Sequence, residues 1–330
     1  MTSETSDEPE TYDAPEAHAM GPESSGPTVH IPVMPAEVLA ALQAGPGSII
    51  VDGTLGGGGH TRLLAPLVGP NGCVIGVDRD PAAVARTAET LRDLPVKTCA
   101  ANYADIPEVL DELGIPLVDG ILLDLGLSSD QLADRERGFS YQSDGDLDLR
   151  FDPSTGKPAW WLIEKMSEQH LADLIYQYGE ERFSRRIARR IVQERQMRSL
   201  RSAQQLANLL RQCVPRAKNH SIDPATRTFQ ALRIAVNEEL KWLEVALRRL
   251  PARLKPQGKL VIISFHSLED RLVKNAFRDD PRLEVVTRKP QRPTDEEIDD
   301  NFRSRSSRLR VAMRNDRAAD DIFVHGPGRR

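Results

Sequence analysis

Apolar positions along this chain follow two rhythms. From His30 onward, short and nearly continuous apolar runs recur between segments with helical spacing: SIIVDG (48–53), CVIGVD (73–78), VKTCAA (96–101), GILLDLG (120–126) and KLVIISF (259–265). A strand covered on both faces needs apolar side chains on both, so these runs predict the strands of a parallel sheet flanked by helices, an α/β fold.

More than 130 residues separate the fourth run from the fifth, far beyond one crossover helix and its loops. Within that interval Leu171, Leu174, Ile175 and Tyr178 share one helical face, as do Phe183, Ile187 and Ile191, and then Leu206, Leu209, Leu210 and Val214. Ser202, three positions before Gln205, fits the start of the last of these helices. After Asp223 and Pro224, the positions Phe229, Leu232, Val236, Leu240, Leu243, Leu247 and Leu250 predict one long helix packed on the sheet as the missing crossover. The expected organisation is a discontinuous sheet domain over 30–135 and 223–315, interrupted by a helical module at 136–222. In RSSRLRVAMR (305–314), Leu309, Val311 and Met313 alternate with arginines, which predicts a half-buried strand completing the sheet.

Composition narrows the class. With 330 residues, 28% charged and 39% hydrophobic, the chain reads as soluble and globular, and no apolar run approaches the roughly 18 residues of a membrane span. No basic start with an apolar block marks a secretory signal. The formal charge of −5 is uneven, because residues 1–29 hold seven carboxylates and no Lys or Arg, leaving +2 for the rest. Such a leader buries too little apolar surface to offset its ordering entropy, so it is expected to be disordered, and residues 316–330 to form a flexible tail. Cys73, Cys99 and Cys213 form neither a C-x-x-C pair nor a zinc spacing, so no metal is expected and a reducing, cytoplasmic setting is.

The strongest chemical signal is VDGTLGGGGHT (51–61), in which a strand ends in Asp52 and runs into Gly56, Gly57, Gly58 and Gly59, then His60 and a helix. Such a turn lets backbone approach a ligand closely. The next strand ends in Asp78, placed to accept hydrogen bonds from both hydroxyls of a ribose. Together they imply an adenosine-type cofactor. No register of 51–62 gives G-x-G-x-x-G, and Gly59 stands where a P-loop needs Lys, so dinucleotide and triphosphate cradles fit poorly. S-adenosyl-L-methionine, with no phosphates to neutralise, fits better. Asn102 and Tyr103 follow the third strand, where the Tyr103 ring either flanks adenine or packs. Asp124 ends the fourth strand, on the edge where open α/β sheets bind ligands.

These stretches resemble a specific family, the bacterial 16S ribosomal RNA cytosine-N4 methyltransferases, also called MraW or RsmH. The similarity runs through HIPVMPAEV (30–38), DGTLGGGGHT (52–61), DRDPAA (78–83), GILLDLGLSSDQLADRERGFS (120–140), DGDLDLRFD (144–152), YGEERFSRRIARRIV (178–192), DPATRTFQALRIAVNEEL (223–240), IISFHSLEDRLVK (262–274) and RSSRLR (305–310). The resemblance implies a Rossmann-like class I S-adenosylmethionine methyltransferase sheet with an inserted helical domain that helps hold RNA. It also implies cofactor contacts at Gly58, Gly59, His60, Asp78, Tyr103, Asp124 and Gln131. Its substrate would be 16S ribosomal RNA of the small ribosomal subunit; a homodimer is left open, and no membrane partner is expected.

An exocyclic amine conjugated to its ring is a weak nucleophile, so positioning should dominate, with Asp124 either accepting its N–H or serving the cofactor alone. The chain has Asp124-Leu125-Gly126-Leu127 where some amine methyltransferases carry a D-P-P-Y-type tetrapeptide. Ser264, His266 and Ser267 follow the fifth strand and either line the base pocket or cap the next helix. The cysteine positions disfavour covalent chemistry at a ring carbon. Residues 182–201 hold eight Arg against Glu194 alone, and a second arginine cluster lies at 303–317; both are candidates to grip phosphates. A splayed target nucleotide is expected. Two other readings compete: a nicotinamide-dependent oxidoreductase, and a non-catalytic RNA-binding or ribosome assembly protein on a methyltransferase scaffold.

Overall fold

The computed structural model describes residues 31–128, 131–132, 134, 136–141, 145–215 and 223–315. The acidic leader and the tail expected at the two ends therefore lie outside the described residues. Seven strands form one sheet: β1 (Ile49–Asp52), β2 (Cys73–Asp78), β3 (Val96–Ala100), β4 (Val118–Asp124), β5 (Leu254–Ser264), β6 (Leu283–Val285) and β7 (Arg308–Arg314). Their order is β3-β2-β1-β4-β5-β7-β6; β1 to β5 run parallel, and β7 is antiparallel to both β5 and β6.

The apolar runs make these strands because alternate side chains enter two different cores. Val51, Ile75, Val77, Ile121, Leu123, Leu260 and Ile262 face one side, whereas Ile50, Val74, Leu122, Val261 and Ile263 face the other. The second side is covered by α1 (Pro35–Leu42) and α2 (Gly59–Val68) through Val38, Leu42, Leu64 and Val68. Beside them, α3 (Pro81–Leu91) contributes Val84 and Leu91 to a small cluster with Leu55. The first side is covered by α4 (Ile106–Glu112) and by helices that follow the module.

The module begins with α5 (Ala159–Lys165), α6 (Glu168–Gly179), α7 (Ser184–Met197) and α8 (Ala203–Cys213). Phe139, Leu147, Ile163, Leu171, Ile175, Ile187, Ile191, Leu206 and Leu210 share its core, which includes the faces read from the sequence. Ser202 caps α8, its hydroxyl accepting the Gln205 N–H at 3.4 Å.

The single long helix expected after Pro224 is broken. α9 (Thr226–Asn237) and α10 (Glu239–Arg249) meet at Glu238, whose φ of 51° is left-handed. The physical reason lies in packing. Phe229 and Leu232 of α9 belong to the core of the module, whereas Leu243 and Leu247 of α10 belong to the sheet core, so the two apolar faces point to different partners. Asn237 fixes the break: its Nδ2 donates to Leu149 O at 2.7 Å and its Oδ1 accepts the Phe151 N–H at 2.8 Å.

After β5 come α11 (Ser267–Asp279), the short β6, and α12 (Asp295–Asp300). β7 is not half-buried: Arg308, Leu309, Arg310, Val311 and Ala312 are all buried. Burial of two arginines is possible because Asp270 of α11 accepts from Arg308 Nη1 at 3.0 Å and from Arg310 Nε at 2.6 Å. Within the arginine cluster at 303–317, Arg308 and Arg310 therefore belong to an internal ion-pair network, and Arg317 lies outside the described residues. Arg314 is likewise engaged, with Pro251 O.

Candidate active site

The carboxyl ends of β1, β2 and β4 open onto a cleft enclosing about 1030 Å3, part of it open to solvent. Between β1 and α2 the chain makes its glycine turn, with left-handed backbone at Gly56 (φ 47°) and Gly58 (φ 77°). Four hydrogen bonds pin the turn. Leu55 N–H donates to Val77 O at 3.0 Å, Gly56 N–H donates to Asp78 Oδ2 at 2.7 Å, the Thr87 hydroxyl donates to Gly56 O at 2.7 Å, and the Thr61 hydroxyl donates to Asp52 Oδ2 at 2.7 Å. Asp78 Oδ1 accepts a further N–H from Asp80 at 2.9 Å. Burial pushes the Asp78 carboxyl up to about 6, against the pull of those two N–H donors. Burial also raises Asp52, in spite of neighbouring His60 and Thr61.

Of the residues singled out by sequence, Gly59, His60, Asp78, Asn102, Tyr103, Asp124 and Gln131 line this one cleft. Gly58 does not. Its missing Cβ faces Thr87 Cγ2 at 2.8 Å and Leu91 Cδ1 at 3.2 Å, so it is needed for turn geometry and close packing against α3. Tyr103 is held with its hydroxyl donating to Glu239 O at 3.4 Å, and burial drives its phenol strongly upward. Gln131 Oε1 accepts the Ser128 N–H at 3.0 Å. His266 caps α11: its Nδ1 accepts the Glu269 N–H at 3.3 Å, and Glu269 returns a bond to the His266 N–H at 3.4 Å. Ser264 and Ser267 also turn elsewhere, to Arg308 O and to Glu180 Oε2. From the β5 end it is Phe265 and Glu269 that reach the cleft.

His60 and Asp124 approach across the cleft floor, Nε2 to Oδ2 at 3.5 Å. Asp124 is also fixed through its backbone, whose N–H donates to Thr54 Oγ1 at 2.7 Å. Burial lowers the His60 imidazole, but Asp124 and Asp52 more than offset it, so the net direction is up. Asp124 Oδ1 and His60 Nε2 are both buried with no hydrogen-bond partner among the described residues.

Other cleft residues were missed by sequence reasoning: Phe151, Asn237, Glu239 and Trp242; Arg303, from the second arginine cluster, also lines the cleft. The module's own cleft residue, Phe151, lies on a segment clamped by Asn237 and by Arg137. The latter bonds Phe151 O at 2.6 Å and Asp80 Oδ2 at 2.6 Å. The only sequence signal for this clamp was the density of charged and amide residues in 144–152 and 233–239.

A nucleoside bearing a cationic sulfur suits these residues. The turn offers backbone rather than side chain, Asp78 presents a half-buried carboxylate, and Asp124 adds an unpartnered acceptor. Among the described residues that line the cleft there is no Lys, and its guanidinium groups are those of Arg79 and Arg303. A sheet of order 3-2-1-4-5-7-6 with an antiparallel seventh strand, carrying this turn and this carboxylate, defines a class I S-adenosylmethionine-dependent methyltransferase. The chain belongs to the MraW methylase family, whose family model matches residues 27–315. It is 50% identical to ribosomal RNA small subunit methyltransferase H of Rhodopirellula baltica, over 88% of this chain and 93% of that protein. The proteins of the same name from Thermomicrobium roseum and Pelobacter propionicus are each 45% identical, over 87% and 86% of this chain and 94% and 97% of theirs.

Proposed function

We propose that this methyltransferase transfers a methyl group to the exocyclic N4 of a cytidine in 16S ribosomal RNA of the small ribosomal subunit. The observation that carries the reading is the Gly56 N–H bond to Asp78 at 2.7 Å, which joins the glycine turn and the ribose carboxylate in the cleft that also holds Asp124. When bound, S-adenosylmethionine supplies an electrophilic methyl on a sulfonium. Asp78 would take the ribose hydroxyls, backbone at Gly59 and His60 would hold the amino-acid end, and Tyr103 would hold the adenine. Asp124 accepts an N–H of the target amine through Oδ1, holding its nitrogen in line and stabilising the charge that develops there. His60 keeps Asp124 oriented from behind. The apolar wall of Leu125, Phe265 and Phe151 excludes water from the amine.

The helical module, 136–222, recognises RNA. Arg185 and Arg186 are exposed on α7, and Arg182, Arg189 and Arg198 are exposed beside them. A cationic helix of this kind suits a phosphate backbone. The protein acts in the bacterial cytoplasm, where its substrate is; among the described residues no helix is long and apolar enough to cross a membrane. Nucleoside mass spectrometry of 16S ribosomal RNA from cells with and without the gene tests the reading. N4-methylcytidine should disappear without the gene, and its persistence, or loss of another nucleoside instead, overturns it.

A further inference from the structure

Three buried residues behind or along the cleft wall, Glu239, His266 and Glu269, bring one donor atom each within 4.8 Å of one another. The spacing suits a metal, but the hydrogen bonds do not. Because His266 Nδ1 accepts the Glu269 N–H, that nitrogen carries no proton, and the ring proton sits on Nε2, 3.2 Å from Glu269 Oε1. A protonated nitrogen is no ligand. Glu239 is already paired with a cation, Arg233 donating to its two oxygens at 2.9 and 3.1 Å, which leaves each oxygen a lone pair for a further N–H but disfavours a second cation. Two carboxylates against one guanidinium leave a surplus negative charge, and both Glu239 and Glu269 reach the cleft.

Trp242 stands three residues beyond Glu239 in α10, on the same helical face, and it too lines the cleft. Its indole Nε1 is buried with no acceptor among the described residues. A desolvated N–H without a partner is costly unless a ligand completes it. The wall thus offers a carboxylate and an orphan donor from neighbouring turns of α10, with a second carboxylate from α11.

We propose that Glu239, Glu269 and Trp242 form a recognition edge for an aminated nitrogen heterocycle, the carboxylates accepting from its exocyclic amine and the indole N–H donating to the unprotonated ring nitrogen beside it. Two bases in the proposed reaction present that edge, the adenine of the methyl donor and the target cytosine, so the inference rests on the function proposed above. A base with a carbonyl in place of the amine meets a carboxylate with no proton between them, and is rejected.

The test uses the full chain and the variants Trp242→Phe, Glu239→Gln and Glu269→Gln, with thermal melting to show that each is folded. Calorimetric titrations compare S-adenosylhomocysteine with S-inosylhomocysteine, in which the amine is replaced by oxygen; small-subunit methylation is then assayed at saturating donor. If adenine is read, the wild type prefers the adenosyl compound by about tenfold or more and the variants lose most of that preference. If cytosine is read, adenosyl binding is unchanged, and kcat/KM for the subunit falls by about tenfold or more. Trp242→Phe keeps an aromatic side chain and removes the N–H together with the pyrrole part of the indole, so it reports even where a carboxylate variant does not fold. Folded variants that keep both the base preference and kcat/KM within about twofold of wild type overturn the inference. A wild type that binds no adenosyl compound at all overturns the methyltransferase reading itself, and this inference with it.

Discussion

His60 Nε2 faces Asp124 Oδ2 at 3.5 Å, joining the helix that follows the glycine turn to the end of β4. The pair makes stability depend on pH in a definite direction. The His60 imidazole sits above its ordinary 6.5 because Asp124 and Asp52 outweigh burial. A raised histidine binds its proton more tightly when folded, so its contribution is complete below about pH 6.5 and is lost as pH rises through the folded value. His60→Asn should therefore lower Tm relative to wild type more at pH 6 than at pH 9, as differential scanning calorimetry would measure. A gap that widens toward pH 9 contradicts the assignment.

Asp78 acts in the same direction, over a lower pH window. Burial raises its carboxyl from 3.8 to about 6, so the folded state holds a proton that the unfolded chain has released, and stability falls as pH rises through that window. The full effect is at most roughly 3 kcal/mol. Asp78→Asn should flatten urea-derived stability between pH 4 and 6.5 relative to wild type. It should cost about 1 kcal/mol for the N–H bond it accepts less well.

Gly58→Ala places a Cβ 2.8 Å from Thr87 Cγ2 on backbone with φ 77°. A loss of about 1–3 kcal/mol is expected from strain and overpacking. The urea midpoint should fall with an unchanged m-value; an unshifted midpoint would mean that the turn relaxes freely.

Asp270 is the shared anion of Arg308 and Arg310. Asp270→Ala removes the carboxylate that two buried guanidinium groups share and should cost about 3–5 kcal/mol in chemical denaturation. By contrast Arg185→Ala with Arg186→Ala, on the exposed face of α7, should leave stability within about 0.5 kcal/mol. The same double variant should weaken binding to ribosomal RNA and reduce the salt slope of log K by about 0.7–0.9 for each phosphate contact removed. An unchanged slope would exclude α7 from the RNA interface.

Much of this was legible in sequence because it is local. β1, β2 and β4 each place apolar residues on both faces over a few positions, and Asp52, Asp78 and Asp124 each end their strand. The glycine turn could be read for the same reason. What escaped depends on distant partners. Arg308 and Arg310 read as solvent-facing because Asp270 lies 38 and 40 residues away. β6 has only three residues, too few for a period. The break at Glu238 carries no Gly or Pro, and the helical spacing of leucines runs through it, so Glu239 and Trp242 could not be placed at the cleft.

The central claim is that the glycine turn and Asp78 together hold an adenosyl sulfonium. Equilibrium titration of S-adenosylmethionine into the wild type and into Asp78→Ala tests it most directly. Saturable one-to-one binding by the wild type, weakened about a hundredfold or more in the variant with RNA affinity retained, is the predicted result. No binding by the wild type, equal binding by both proteins, or preferential binding of NAD would contradict it.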